Sequence, residues 1–244
     1  MSLQDLIKNL SLEDIDKIRE LKFEELDSIK SYSFSQITLE ELKSLVSIKI
    51  NFDNSIFDSW FNSDIKLDKN IEEFLIQLLQ EESFLLRYYN EEDLKLHFLS
   101  QIFNHIKFTV RDKDIRFYSE EQLIYKNDRF ILKGTPDFFI AKGLRMPEVP
   151  YFFIQEFKRT KGTSDPEEQL LAELISAVEL NNSTMIKGAY IKGAIWNFMI
   201  LEKLDKDSYQ YFISDNFDSS KIDDLKSIYR HLLYVKKEIM ESID

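Results

Sequence analysis

The chain is 244 residues long, enough for one sizeable core with a helical appendage, and an apolar content of 43% with few glycines and prolines excludes general disorder. The absence of cysteine excludes disulfides, thiolate catalysis and Cys-based zinc sites together, and with only three histidines (His97, His105, His231) any metal has to be held mainly by oxygen. The formal charge of −12 opposes polyanion binding in bulk but is unevenly spread: residues 1–100 carry 11 basic and 21 acidic side chains, residues 101–161 carry 12 and 8.

From the start to about residue 105 apolar residues recur at helical spacing, as at Leu12, Ile15, Ile18 and Leu21 and again at Leu42 and Leu45. Ser11 to Asp14 and Thr38 to Glu41 have the hydroxyl-x-x-acid spacing that satisfies the free amides of a first helical turn. Residues 51–70, rich in Asn, Asp and Ser and interrupted by Phe57, Trp60 and Phe61, read as a linker. The expected division is an N-terminal helical region, 1–65, and a core domain, 66–244. Helices are expected over about 70–89 and 91–106.

Beyond residue 107 the period shifts towards two. Segments 114–126 and 129–141, around a turn at Lys126-Asn-Asp128, and the strongly apolar 150–158 predict a three-strand meander. A helix follows with Asp165 as cap and Pro166 at its first position, running to about Leu180. Strands over 186–191 and 194–203 meet at Lys192-Gly193, another lies near 208–214, and a closing helix from about Ser219 carries Leu225, Ile228, Leu232, Val235 and Ile239 on one face.

The stretch that carries chemistry reads Gly134-Thr-Pro-Asp137, then Gln155-Glu156-Phe157-Lys158. In a strand, residues two apart share a face, so Glu156 and Lys158 project together while Phe157 points away. An acid and a lysine closing a strand of Tyr151, Phe152, Phe153 and Ile154 sit at the edge of a core, where unpaired charge is expensive. A hard divalent cation gives them a reason to be there, since Mg²⁺ is commonly held by one or two carboxylates plus phosphate oxygens. Asp137 and Glu156 supply those carboxylates. Lys158 is placed to orient or deprotonate a water and to stabilise charge growing on phosphorus. Pro136, lacking an amide donor, predicts an edge or bulge that re-aims Asp137.

With Pro136-Asp137 and Glu156-Phe157-Lys158 in the two signature places, the sequence resembles the PD-(D/E)XK, restriction-endonuclease-like nucleases. Over roughly residues 90–205 it is similar to a bacterial subgroup with a Gln-x-x-Ala-Glu helix after the lysine strand, here Gln169 to Glu173, followed by a hairpin like Ala189 to Trp196. The resemblance implies an α/β (α+β) fold: a central mixed β-sheet flanked by helices, making 66–244 the nuclease-like domain. It further implies Mg²⁺-dependent phosphodiester cleavage, with Mn²⁺ as a substitute, and metal ligands at Asp137, Glu156 and the Phe157 backbone carbonyl. Many members add an acid from the helix before the sheet; Glu91 is the first choice and Glu92 the second. Gln169, four residues before Glu173 on one helical face, is the auxiliary polar contact in the catalytic set Asp137, Glu156, Lys158 and Gln169. The polar tail from Arg159 to Asp165 departs from the family pattern, either as a substrate-facing loop or as a plain connection.

The implied partner is nucleic acid, DNA ahead of RNA, and a homodimer that cuts both strands is compatible with the resemblance although no residue marks a dimer face. No apolar run is long enough to span a bilayer and Met1-Ser-Leu-Gln-Asp has no signal-peptide character, so a cytoplasmic chain without a membrane partner is expected. Two rivals stand beside the nuclease: an inactive module of the same fold that binds nucleic acid or a protein partner, and a different phosphodiester or nucleotide enzyme on the same scaffold.

Overall fold

Helix starts follow their capping chemistry. In the computed structural model, which describes residues 29–158 and 165–243 together with positions 10, 11, 14, 15 and 17, the Thr38 hydroxyl accepts from the Glu41 amide and the Glu41 carboxylate from the Thr38 amide. That reciprocal cap opens α1 (Leu39–Leu45). Ser11 and Asp14 exchange the same pair of bonds, at 2.9 and 3.1 Å. Leu12, Ile18, Leu21 and the tail 159–164 lie outside the described residues. After the short helix α2 (Asp58–Phe61), Asp68 caps α3 (Lys69–Glu82). Asn90 and Asp93 form a second capping box at the start of α4, a continuous helix made of Glu91–Asp93, a π-helical stretch Leu94–Leu99, and Ser100–Ile106. Asp165 and Pro166 open α5 (Pro166–Leu180), where the sequence predicts it, and α6 (Ile222–Glu241) buries the expected stripe Leu225, Ile228, Leu232, Val235 and Ile239.

The strands are β1 (Lys30–Ser33), β2 (Ser47–Ile50), β3 (Ile115–Ser119), β4 (Leu123–Lys126), β5 (Phe130–Gly134), β6 (Phe138–Lys142), β7 (Glu148–Lys158), β8 (Met185–Lys192), β9 (Ile195–Asp205), β10 (Ser208–Ile213) and β11 (Phe217–Asp218). The main sheet runs β2-β10-β9-β8-β7-β6-β3, with β11 on β9, and is mixed because β2/β10 and β7/β8 are parallel. On one face α5 packs Leu170, Leu174 and Ile175 against Ile154, Ile186 and Met199. On the other, α3, α4 and α6 cover Phe153, Phe157, Ile191 and Phe198. Each fully buried side chain of this size contributes about 1.5–3 kcal/mol, so the helix–sheet–helix sandwich is held chiefly by these two apolar layers.

The expected meander is split. β3, β6 and β7 are successive neighbours in the main sheet, but β4 and β5 turn away to form a small sheet with β1. Two local features account for the breaks: Glu120 sits in the left-handed region at φ 54, and Pro136 has no amide to give to a ladder.

Two strands also stand in the stretch expected to be helical. β1 pairs parallel with β5 and β2 parallel with β10, so residues 30–33 and 47–50, on either side of α1, belong to the sheets. The expected linker is anchored rather than loose: Trp60 is fully buried, and its Nε1 donates to the His231 carbonyl at 2.9 Å. Trp60 is thereby tied to α6. Among the described residues no helix is long and apolar enough to cross a membrane.

Candidate active site

Strand β7 sorts its side chains by parity. Ile154 joins the core under α5 while Phe153 and Phe157 join the opposite one, which puts Glu156 and Lys158 on the α5 side, as their spacing predicts. Glu156 is fully buried. One of its oxygens, Oε1, accepts from Lys158 Nζ at 2.7 Å, and Oε2 meets no donor among the described residues, the Asp137 carboxyl lying within hydrogen-bonding reach of the Glu156 side chain. Burial, and then the nearby charge of Asp137, push the Glu156 carboxyl well above the usual carboxylate range against the pull of Lys158. For Lys158, burial alone lowers the ammonium, but the charge and hydrogen bond of Glu156, followed by the charges of Asp137 and Glu91, hold it above the ordinary lysine value.

Asp137 lies one residue before β6, where the chain passes from the small sheet to the main one. Its Oδ2 accepts the Phe157 amide at 3.0 Å, clamping the aspartate to β7 beside Glu156. Its carbonyl accepts the Glu120 amide at 3.1 Å. Phe157 thus brings its peptide to the Asp137 carboxylate while its ring fills the opposite core.

From α5, Gln169 and Glu173 face the same place. Both are buried, and Gln169 Nε2 donates to Glu173 Oε1 at 3.1 Å. Burial, followed by the charge of Glu156, pushes Glu173 well above the usual range. Glu91, at the first position of α4, lies within electrostatic reach of Lys158. Glu92 stands 3.7 Å from Lys95. The structure therefore brings Asp137, Glu156, Lys158, Gln169 and Glu91 into one neighbourhood.

Sequence reasoning missed Lys95. Its Nζ lies 2.8 Å from Asp137 Oδ1 and 2.6 Å from Glu120 Oε1, with the side chain 14% exposed. Burial lowers such an ammonium, but hydrogen bonds to Asp137 and Glu120 outweigh it and hold Lys95 above the usual value. The available signal was position: Lys95 follows Glu91 by four residues, about one helical turn. The histidines are engaged elsewhere. His105 stacks on Phe74 and meets the Tyr229 hydroxyl at 2.6 Å, His97 packs near Tyr89, and His231 stacks on Phe61.

Donor chemistry fits a hard cation. Asp137 and Glu156 offer oxygen only, and Glu156 Oε2 is a buried acceptor without a donor among the described residues. Among those residues no group of three or more carboxylates or imidazoles is placed to hold a metal ion.

No protein-family model matches the chain, and no curated protein matches it. Among solved structures the chain is similar to a cryo-EM structure of a DrdV–DNA complex, at a TM-score of 0.38 and 9% identity over 67% of this chain. That likeness spans 14% of the other chain, a small part of its length.

Proposed function

We propose that the chain is a Mg²⁺-dependent nuclease of PD-(D/E)XK type that hydrolyses phosphodiester bonds, DNA being the preferred substrate. The observation that carries this reading is Glu156: a fully buried carboxylate with one oxygen on Lys158, the other unmatched among the described residues, and Asp137 clamped alongside through the Phe157 amide. Asp137, Glu156 and the Phe157 carbonyl are the groups that would hold the cation, with Glu91 as the outlying acid. When bound, such an ion neutralises the phosphate under attack and lowers the pKa of a coordinated water. The chain's own residues do the rest. Lys158, fixed by Glu156, orients the attacking water and stabilises charge on phosphorus, and Gln169, held by Glu173, adds a polar contact beside it.

The test is cleavage of single- and double-stranded DNA and RNA with Mg²⁺ or Mn²⁺ by the parent, Asp137→Asn and Glu156→Gln, with folding checked by circular dichroism. Cleavage by the parent and its loss in both variants is expected. No cleavage of any substrate, or an Asp137→Asn variant as active as the parent, sinks the enzyme reading. The net charge of −12 favours a second reading, a fold of this class that binds nucleic acid or a protein partner without cutting.

A further inference from the structure

Taking Asp137 and Glu156 as the cation ligands, a premise that rests on the function proposed above, we propose that Lys95 is a resident counter-ion. It holds the Asp137 position in the metal-free protein and yields that position to a divalent cation by moving onto Glu120.

Both oxygens of Asp137 are engaged: Oδ2 by the Phe157 amide and Oδ1 by the Lys95 ammonium at 2.8 Å. An ammonium at that distance opposes a dication at the same oxygen, so the two compete. Lys95 has somewhere to go. Glu120 Oε1 is already 2.6 Å from Nζ, and Glu92 stands 3.7 Å away. Leaving Asp137 therefore does not strand a buried charge, which is the step that makes breaking an interior ion pair costly.

Two backbone features serve the same arrangement. Glu120 adopts φ 54, a region that non-glycine residues rarely occupy, and its amide is tied to the Asp137 carbonyl at 3.1 Å. The acceptor for the displaced lysine is thereby fixed to the residue being vacated. Lys95 itself belongs to the π-helical stretch Leu94–Leu99, where the Ser100 amide reaches back to the Lys95 carbonyl, and such stretches concentrate at functional sites. The Lys95 ammonium also rests 4.9 Å from the centre of the Phe157 ring, so its charge keeps a partner on that side as well.

The experiment is calorimetric titration of Mn²⁺ into the full chain, comparing the parent with Lys95→Met and Glu120→Gln. Removing the competing ammonium should tighten Mn²⁺ binding about tenfold or more, since a unit charge beside a dication is removed from a partly desolvated site. Removing the receiving carboxylate should act in the opposite sense and weaken binding severalfold. A Lys95→Met variant that binds Mn²⁺ no tighter than the parent overturns the proposal, and an unchanged Glu120→Gln overturns the receiving role. Lys95→Gln, with Mn²⁺-induced rise in melting temperature as a second readout, covers the case in which Lys95→Met does not fold.

The two readings fail differently. Mn²⁺ binding undiminished in Asp137→Asn and Glu156→Gln, or absent from the parent and Lys95→Met alike, removes the metal centre and this inference with it. Binding lost in those two variants but equal in parent and Lys95→Met removes only the role of Lys95. Binding seen in Lys95→Met and not in the parent supports competition in its strongest form.

Discussion

Glu173→Gln should stabilise the protein near neutral pH and leave it unchanged in acid. Glu173 is fully buried on α5, one oxygen takes a single hydrogen bond from Gln169, and the other has no partner among the described residues. Glutamine keeps the shape, removes the charge facing Glu156, and retains an amide contact to Gln169. Removing the charge of one incompletely satisfied buried carboxylate is worth about 1–3 kcal/mol. For a chain of this size that corresponds to a melting temperature about 2–4 °C higher per kcal/mol. The sign follows from proton counting. Burial, and then Glu156, raise the folded carboxyl above 4.5, so between 4.5 and the folded value the native state binds more protons than the unfolded one. Parental stability therefore falls as pH rises through that window, and the gain from Glu173→Gln opens over the same interval. Because Glu156 and Glu173 interact, the extra proton belongs to the pair. Urea unfolding of both proteins at a series of pH values, with chelator present, checks this. A variant less stable than the parent at about pH 7, or two parallel pH profiles, refutes the reasoning.

The remaining predictions concern groups outside the acid cluster. His231 is pushed down to about 3 by burial and then by Arg230, and neither ring nitrogen has a partner among the described residues. Its proton resonances should not titrate over about pH 5–8, and stability should drop as pH falls from 6.5 towards 3, where only the unfolded state takes up the proton; an NMR midpoint close to 6.5 sinks this. Gly188→Ala places a Cβ 2.9 Å from the Ile154 carbonyl oxygen and 3.0 Å from Leu174 Cδ2. Since that oxygen belongs to β7, the variant should lose about 1–3 kcal/mol in urea unfolding, and parental stability would show that the strand and α5 part easily.

What was legible in the sequence was local. Thr38 with Glu41, Asp165 with Pro166, and the Lys192-Gly193 hairpin each write their geometry within a few residues, and the structure has α1, α5 and the β8/β9 turn there. Strands β1 and β2 were illegible because four residues are too few to show a period of two, and their partners β5 and β10 lie far along the chain. The anchoring of Trp60 depends on α6, which closes over it late in the sequence. Lys95 was missed because a π-helical turn alters helical register without altering composition. The burial of Gln169 and Glu173 could have been read: Leu170-Leu-Ala-Glu-Leu-Ile-Ser-Ala-Val is apolar nearly all round, and polar residues in a helix covered on every side go inside with it.

Where the buried charge sits is itself an argument about the site. The fully buried side chains of the described chain are overwhelmingly apolar, and the two buried carboxylates, Glu156 and Glu173, are neighbours facing one another across β7 and α5. Each ion taken from water costs several kcal/mol, and buried ion pairs can generally be replaced by apolar residues without loss of stability. Folding alone therefore gives no reason to concentrate acids here. The proposed divalent cation would give one: binding only to the folded state adds about 2.7 kcal/mol at a hundredfold excess over Kd. That term is comparable to the cost of an unmatched buried oxygen such as Glu156 Oε2, so the cation proposed for this site would offset the strain its ligands impose on the fold.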